Sequence, residues 1–111
     1  LEVKEPSNIA FQEEFFGPIA TVISFKTEKE GITLANNTQF GLGASIWTAD
    51  LEKAKTIAPT LEAGVVAVNQ LVKSDVHLPF GGVKQSGYGR ELGVYGLREF
   101  TNVQSVWIEQ S

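Results

Sequence analysis

Cysteine is absent from all 111 residues, methionine is absent too, and His77 is the single histidine. Without thiols the chain can form no disulfide and offers no thiolate to a metal, and one imidazole cannot assemble a zinc site from nitrogen and sulfur donors. No apolar run approaches the roughly 20 residues that a membrane-spanning helix needs. Positive charge is also in short supply. Nine Lys and Arg against 13 Asp and Glu give a net charge of -4, and the cations are scattered among acids, which excludes the clustered basic surface that nucleic acid requires. Leu1 stands where a methionine would, and no charged leader or apolar signal core follows it. A segment of a longer, cytoplasmic protein is therefore expected. No internal repeat, low-complexity tract or dividing linker breaks the chain, so it holds one domain at most.

Apolar periodicity switches repeatedly between the strand and helix periods. Residues 19–25, rich in β-branched and aromatic side chains, read as a buried strand. Thr27 and Glu30 then have the spacing of a capping box, and a short helix should run to about Asn36. Residues 43–48 are the next strand candidate. Asp50 can cap a second helix on which Leu51, Ala54, Ile57, Ala58 and Leu61 recur at three and four, with Pro59 shortening its last turn. Gly64 is placed to stop that helix, and residues 65–69 read as a strand buried on both faces. Short connections would make the three strands one parallel sheet with covering helices, an α/β fold. Beyond it a brief helix over residues 91–100 is expected despite Gly93 and Gly96, and residues 101–108 alternate like a terminal strand that wants a neighbour.

Ligands favour the carboxyl ends of such strands, which directs attention past Asn69 to a stretch dense in glycine between Leu78 and Glu91. It fails as a P-loop, because Lys84 and Ser86 lie between Gly82 and Gly87 instead of directly after the second glycine. It fails as a dinucleotide fingerprint as well: Gly87-Tyr88-Gly89 is followed by Leu92 where the last glycine belongs. Gly81, Gly82, Gly87 and Gly89 are better suited to positive φ and close backbone approach, with Pro79 fixing the lead-in.

That stretch, Pro79-Phe80-Gly81-Gly82-Val83-Lys84-Gln85-Ser86-Gly87-Tyr88-Gly89-Arg90-Glu91, resembles the C-terminal loop of the NAD(P)-dependent aldehyde dehydrogenases. The resemblance continues through Glu14-Phe15-Phe16-Gly17-Pro18, Ala35-Asn36-Asn37-Thr38, Phe40-Gly41-Leu42-Gly43-Ala44 and Gly64-Val65-Val66-Ala67-Val68-Asn69. It implies the C-terminal portion of that family's catalytic domain over residues 1–100, a three-layer α/β arrangement on a parallel sheet. Residues 101–111 would be a tail strand joining a homo-oligomer, dimer or tetramer. The reaction implied is attack of a cysteine thiolate on an aldehyde, hydride transfer to NAD or NADP, and hydrolysis of the thioester. The nucleophile and general base would lie elsewhere, so the isolated segment is expected to be inactive.

Residue by residue, the resemblance gives Glu14 a nicotinamide-ribose role and places Phe16 near the nicotinamide ring. Phe80 corresponds to an aromatic wall of the aldehyde tunnel. Ser74 lies where succinate-semialdehyde dehydrogenases hold the substrate carboxylate, although Lys73 and Asp75 depart from the expected neighbours. Arg90 and Glu91 would tie the loop to its scaffold, and His77 reads as a loop histidine. No catalytic residue and no metal ligand is assigned. The alternative is a stand-alone interaction or assembly module that binds a partner by adding a strand.

Overall fold

The computed structural model describes residues 1–110. The first helix, α1 (Ile9–Gln12), is a single turn started by the Asn8 side chain, which accepts from Ala10 N. The second, α2 (Glu28–Asn36), is capped by Thr27, whose hydroxyl accepts from Glu30 N at 3.2 Å. Glu30 closes the motif one residue earlier than a reciprocal capping box would: its carboxylate accepts from Lys26 N at 2.8 Å. Asp50 caps α3 (Leu51–Ile57) through Lys53 N at 2.9 Å. Pro59 lacks the N–H that a longer α-helix would use, and the chain tightens into a 3₁₀ turn over Ala58–Thr60. Lys53 also joins α3 to the start of α2 by an ion pair with Glu28 at 3.0 Å.

An extended run splits at Leu42 between two ladders. Its first part, β1 (Phe40–Gly41), pairs antiparallel with β4 (Val83–Lys84) in the glycine-rich loop, Phe40 opposite Lys84 and Gly41 opposite Val83. Its second, β2 (Gly43–Ile46), pairs parallel with β3 (Val65–Val68) in the register Gly43 to Val65 and Ile46 to Val68. The β2-α3-β3 order is the expected parallel unit. At the carboxyl end Asn69 takes φ 54°, and its side chain prolongs the pairing by accepting from Thr48 N and donating to Thr48 O, both at 2.8 Å. The last helix, α4, covers Gly93–Glu99.

Two expectations of the sequence are not met within these residues. Residues 19–25 make only an isolated parallel bridge, Glu2 with Val22, so the described sheet is two pairs of strands and not three parallel strands. Residues 101–110 form no ladder, and Ser111 of the expected tail lies outside the described residues. The reason is common to both. A strand exists only where a neighbour accepts its N–H groups, and the described residues place little or nothing beside either segment. Their apolar side chains are correspondingly open, Phe25 at 58% and Trp107 at 94% exposure.

The same openness holds throughout. Among the described residues only Val3, Ala54 and Ala67 are buried apolar residues. The solvent-accessible surface of 9059 Å² compares with about 6,000 Å² for a compact monomer of this mass. The radius of gyration is 18.5 Å where about 13 Å is usual for this length. The secondary structure is in place, but the faces that would form a core are largely uncovered.

Candidate functional site

A concavity of about 560 Å³ opens between the end of α1, the end of α2, β1 and the glycine-rich loop. Glu13 and Glu14, Asn36 and Phe40, and Gln85 and Ser86 of the loop all line it. Glu14 is therefore brought together with the loop. Phe16, Phe80 and Ser74 do not line this hollow.

Phe16 stands 96% exposed because of the turn that carries it. Gly17 N donates to Phe15 O at 3.0 Å and Ile19 N to Gly17 O at 2.8 Å, two consecutive three-residue turns centred on Phe16 and Pro18. Proline's fixed φ suits the second of them. Phe80 is half-buried, and its backbone exchanges two bonds of 2.8 Å with Glu91, closing the loop at its base. Inside that closure Gly87 and Gly89 take φ of 116° and 81°, and Gly82 is buried with ordinary φ. Arg90 Nη1 donates to Gly82 O at 2.8 Å and to Gly89 O at 2.6 Å. Ser86 Oγ accepts from Gly41 N at 2.9 Å, which ties the loop to β1. Gly64 is the point of closest approach, since a Cβ built there would overlap the Gly81 carbonyl oxygen.

Ser74 lies on an exposed loop, and its hydroxyl has no hydrogen-bond partner among the described residues. Its neighbour Asp75 shapes the turn: one carboxylate oxygen accepts from His77 N at 2.9 Å and lies 3.1 Å from His77 Nδ1. The His77 backbone N–H, and after it the ring, holds the Asp75 carboxyl below the usual carboxylate range. Among the described residues no group of three or more His, Asp or Glu side chains could hold a metal ion, and no helix is long and apolar enough to cross a membrane.

Sequence reasoning missed the group that binds the loop to α2. Lys84 has φ 54°, and its ammonium donates to Asn36 O at 2.8 Å and Thr38 O at 3.0 Å while pairing with Glu62 at 2.6 Å. These three acceptors occupy its three donors, which leaves none for a phosphate and agrees with the failure of the P-loop pattern. Asn36 extends the knot by donating to Thr60 O at 2.8 Å and accepting from Glu62 N at 2.9 Å. Nothing periodic marks either residue. The only available signal is a lysine inside a glycine-rich loop that matches no phosphate motif.

Comparison with known proteins matches residues 1–106 to the model of the aldehyde dehydrogenase family. A probable NADP(+) succinate-semialdehyde dehydrogenase of Synechocystis is 47% identical over 93% of this chain and 23% of its own length. Aldehyde dehydrogenase 1A1 of Gallus gallus is 50% identical over 88% of the chain and 19% of its own length. The crystal structure of a succinic semialdehyde dehydrogenase from Streptococcus pyogenes with NADP+ superimposes with a TM-score of 0.92 at 36% identity, over 98% of this chain and 24% of that one. The chain thus spans about a quarter or less of the length of these proteins. From its motifs, its fold and a match that runs nearly end to end, this chain belongs to the aldehyde dehydrogenase family.

Proposed function

We propose that these residues are the C-terminal portion of the catalytic domain of an enzyme that oxidises an aldehyde, specifically succinate semialdehyde, to the carboxylic acid with NAD or NADP. The observation that carries the reading is the shared concavity of Glu14 and the glycine-rich loop. Residues 1–100 supply part of the catalytic domain, and residues 101–111 a strand completed by another subunit of a homo-oligomer. The uncovered Val103, Val106, Trp107 and Ile108 support that last assignment.

The residues suit a nicotinamide cofactor. The Glu14 side chain is exposed on the edge of the concavity and forms no ion pair among the described residues, so its two oxygens are open to a pair of ribose hydroxyls. The open Phe16 ring offers an apolar face to the nicotinamide. When bound, the cofactor supplies the hydride acceptor. Phe80 walls the aldehyde path and keeps water from it, and the unengaged Ser74 hydroxyl donates to the substrate carboxylate. The thiolate nucleophile and the general base come from outside these residues. Choice between NAD and NADP also lies outside, with the group that reads the ribose 2′ position.

The test is a substrate panel on the intact enzyme with both cofactors. Ser74→Ala is expected to lower kcat/KM for succinate semialdehyde about tenfold, the worth of one bond to a charged group, and to leave unbranched aliphatic aldehydes unchanged. An equal effect on both classes, or none, removes the carboxylate role. The 111-residue chain alone is expected to show no turnover with aldehyde and either cofactor.

A further inference from the structure

Lys84 is a β-carbon residue held at φ 54° in a loop where glycine occupies four of the neighbouring positions. Left-handed backbone is disfavoured for a residue with a Cβ, and the Lys84 side chain makes contacts that offset it. The side chain is 24% exposed, and its ammonium reaches 46 and 48 residues back to Thr38 O and Asn36 O and pairs with Glu62. The Asn36 carbonyl ends α2, where backbone acceptors lack helical partners and positive charge is favoured, and Thr38 lies just past the C-cap Asn37.

The carbonyl between those two is also taken. Asn37 O accepts from Gln12 Nε2 at 3.2 Å, and the same amide donates to Pro6 O at 2.6 Å. Three successive carbonyls, at Asn36, Asn37 and Thr38, are thus held by two side chains, Gln12 from the end of α1 and Lys84 from the glycine-rich loop. Gln12 precedes Glu14 by two residues. Lys84 follows Phe80 by four. The turn over residues 36–38 is the mechanical link between the segment that carries Glu14 and the loop that carries Phe80.

We propose that Lys84 is a positioning residue for Glu14, acting through the 36–38 turn without touching the cofactor. The inference rests on the cofactor role given to Glu14 above, and extends it to how the carboxylate is kept in place. The loop itself has other anchors, namely the Phe80 and Glu91 backbone pair, Ser86 Oγ on Gly41 N, and Arg90 on Gly82 O. Among the described residues, side-chain hydrogen bonds tie the 11–14 segment to the turn only through Gln12. Loss of Lys84 should therefore reach cofactor binding more than aldehyde binding.

The experiment uses the intact enzyme, with Lys84→Met to keep the stem and remove the charge, and Lys55→Met, an exposed cation on α3, as control. Expected for Lys84→Met are faster amide exchange at residues 11–14 and a cofactor KM raised about tenfold, the worth of its charge-assisted bonds, with the aldehyde KM within about twofold. In a Glu14→Gln background the further rise should fall below about threefold, because coupled groups do not add. Unchanged exchange at residues 11–14, or a cofactor penalty that multiplies in full with Glu14→Gln, overturns the proposal. If Glu14→Gln leaves the cofactor KM alone while Lys84→Met still loosens residues 11–14, the role given to Glu14 fails and the tether stands. Should Lys84→Met not fold, Glu62→Gln decides by the same criteria, with about a threefold effect expected for a partly exposed pair.

Discussion

Gly64→Ala sets two effects of opposite sign against each other, and the geometry decides between them. Gly64 does not have positive φ, so alanine is conformationally allowed, and removing glycine's freedom from the unfolded chain would stabilise by about 0.4–1 kcal/mol. The added Cβ, however, would collide with the Gly81 carbonyl oxygen and stand 2.7 Å from Gly81 C and 3.0 Å from Gly82 Cα. All three obstacles are backbone. None can swing aside as a flexible side chain would, and the 80–91 loop is held by Arg90, by Ser86 and by the Phe80 and Glu91 pair. Overpacking of this kind costs about 1–3 kcal/mol, and a backbone obstacle belongs at the upper end. The expected net is a loss of about 2 kcal/mol once the entropic gain is offset. The assay is urea unfolding of the intact enzyme, with Gly17→Ala as reference, since a Cβ there meets nothing within 4 Å. Because the strain is relieved by moving Gly81, next to Phe80, the aldehyde KM should rise and the cofactor KM should not. A Gly64→Ala enzyme at least as stable as wild type would show that the loop yields freely, and would refute the picture of a fixed wall.

Asp50→Ala removes the cap of α3 and should cost about 1 kcal/mol, read as lower amide protection at Lys53, whose N–H would lose its acceptor. Asp75 has a folded pKa below its unfolded one, so its share of stability is present above the ordinary carboxylate range and is lost as pH falls through the depressed folded value. The 74–80 loop should accordingly loosen in acid. His77→Ala should restore only the smaller part of the shift, because the main cause is the backbone N–H, which alanine keeps; full restoration, seen in an NMR titration of the Asp75 carboxyl, would contradict this.

What could be read from the sequence follows how local each signal is. The starts of α2 and α3 were legible because Thr27 and Asp50 act within three residues of themselves, and the shortening at Pro59 because a missing N–H acts on its own turn. The parallel pair was legible from two β-branched runs on either side of a helix. The β1 and β4 ladder was not, since two residues carry no period and the pairing joins positions more than 40 residues apart. The site divides in the same way. Motif resemblance located Glu14 and the loop, but could not show that Phe16 and Phe80 lie outside the concavity that holds Glu14. Nor could it find Lys84, whose importance rests on three acceptors remote in sequence.

The unmet strands are the most informative of these differences. Residues 19–25 and 101–108 carry the β-branched and aromatic composition of buried strands, and the side chains responsible, among them Ile19, Val22, Phe25, Val106 and Trp107, are each more than half exposed. A strand pattern reports which face should be covered and is silent on what covers it. The same reasoning that placed β2 and β3 correctly therefore applies to these segments, and what differs is the supply of neighbours. The excess surface and the small buried core of the described residues follow from that shortage. Burial of about 1,000 Å² of this exposed apolar surface would contribute on the order of 25 kcal/mol before entropic costs, far more than any bond within the described residues. Helix caps and loop ties thus set local shape here, while the described residues bury too little apolar surface to supply comparable cohesion.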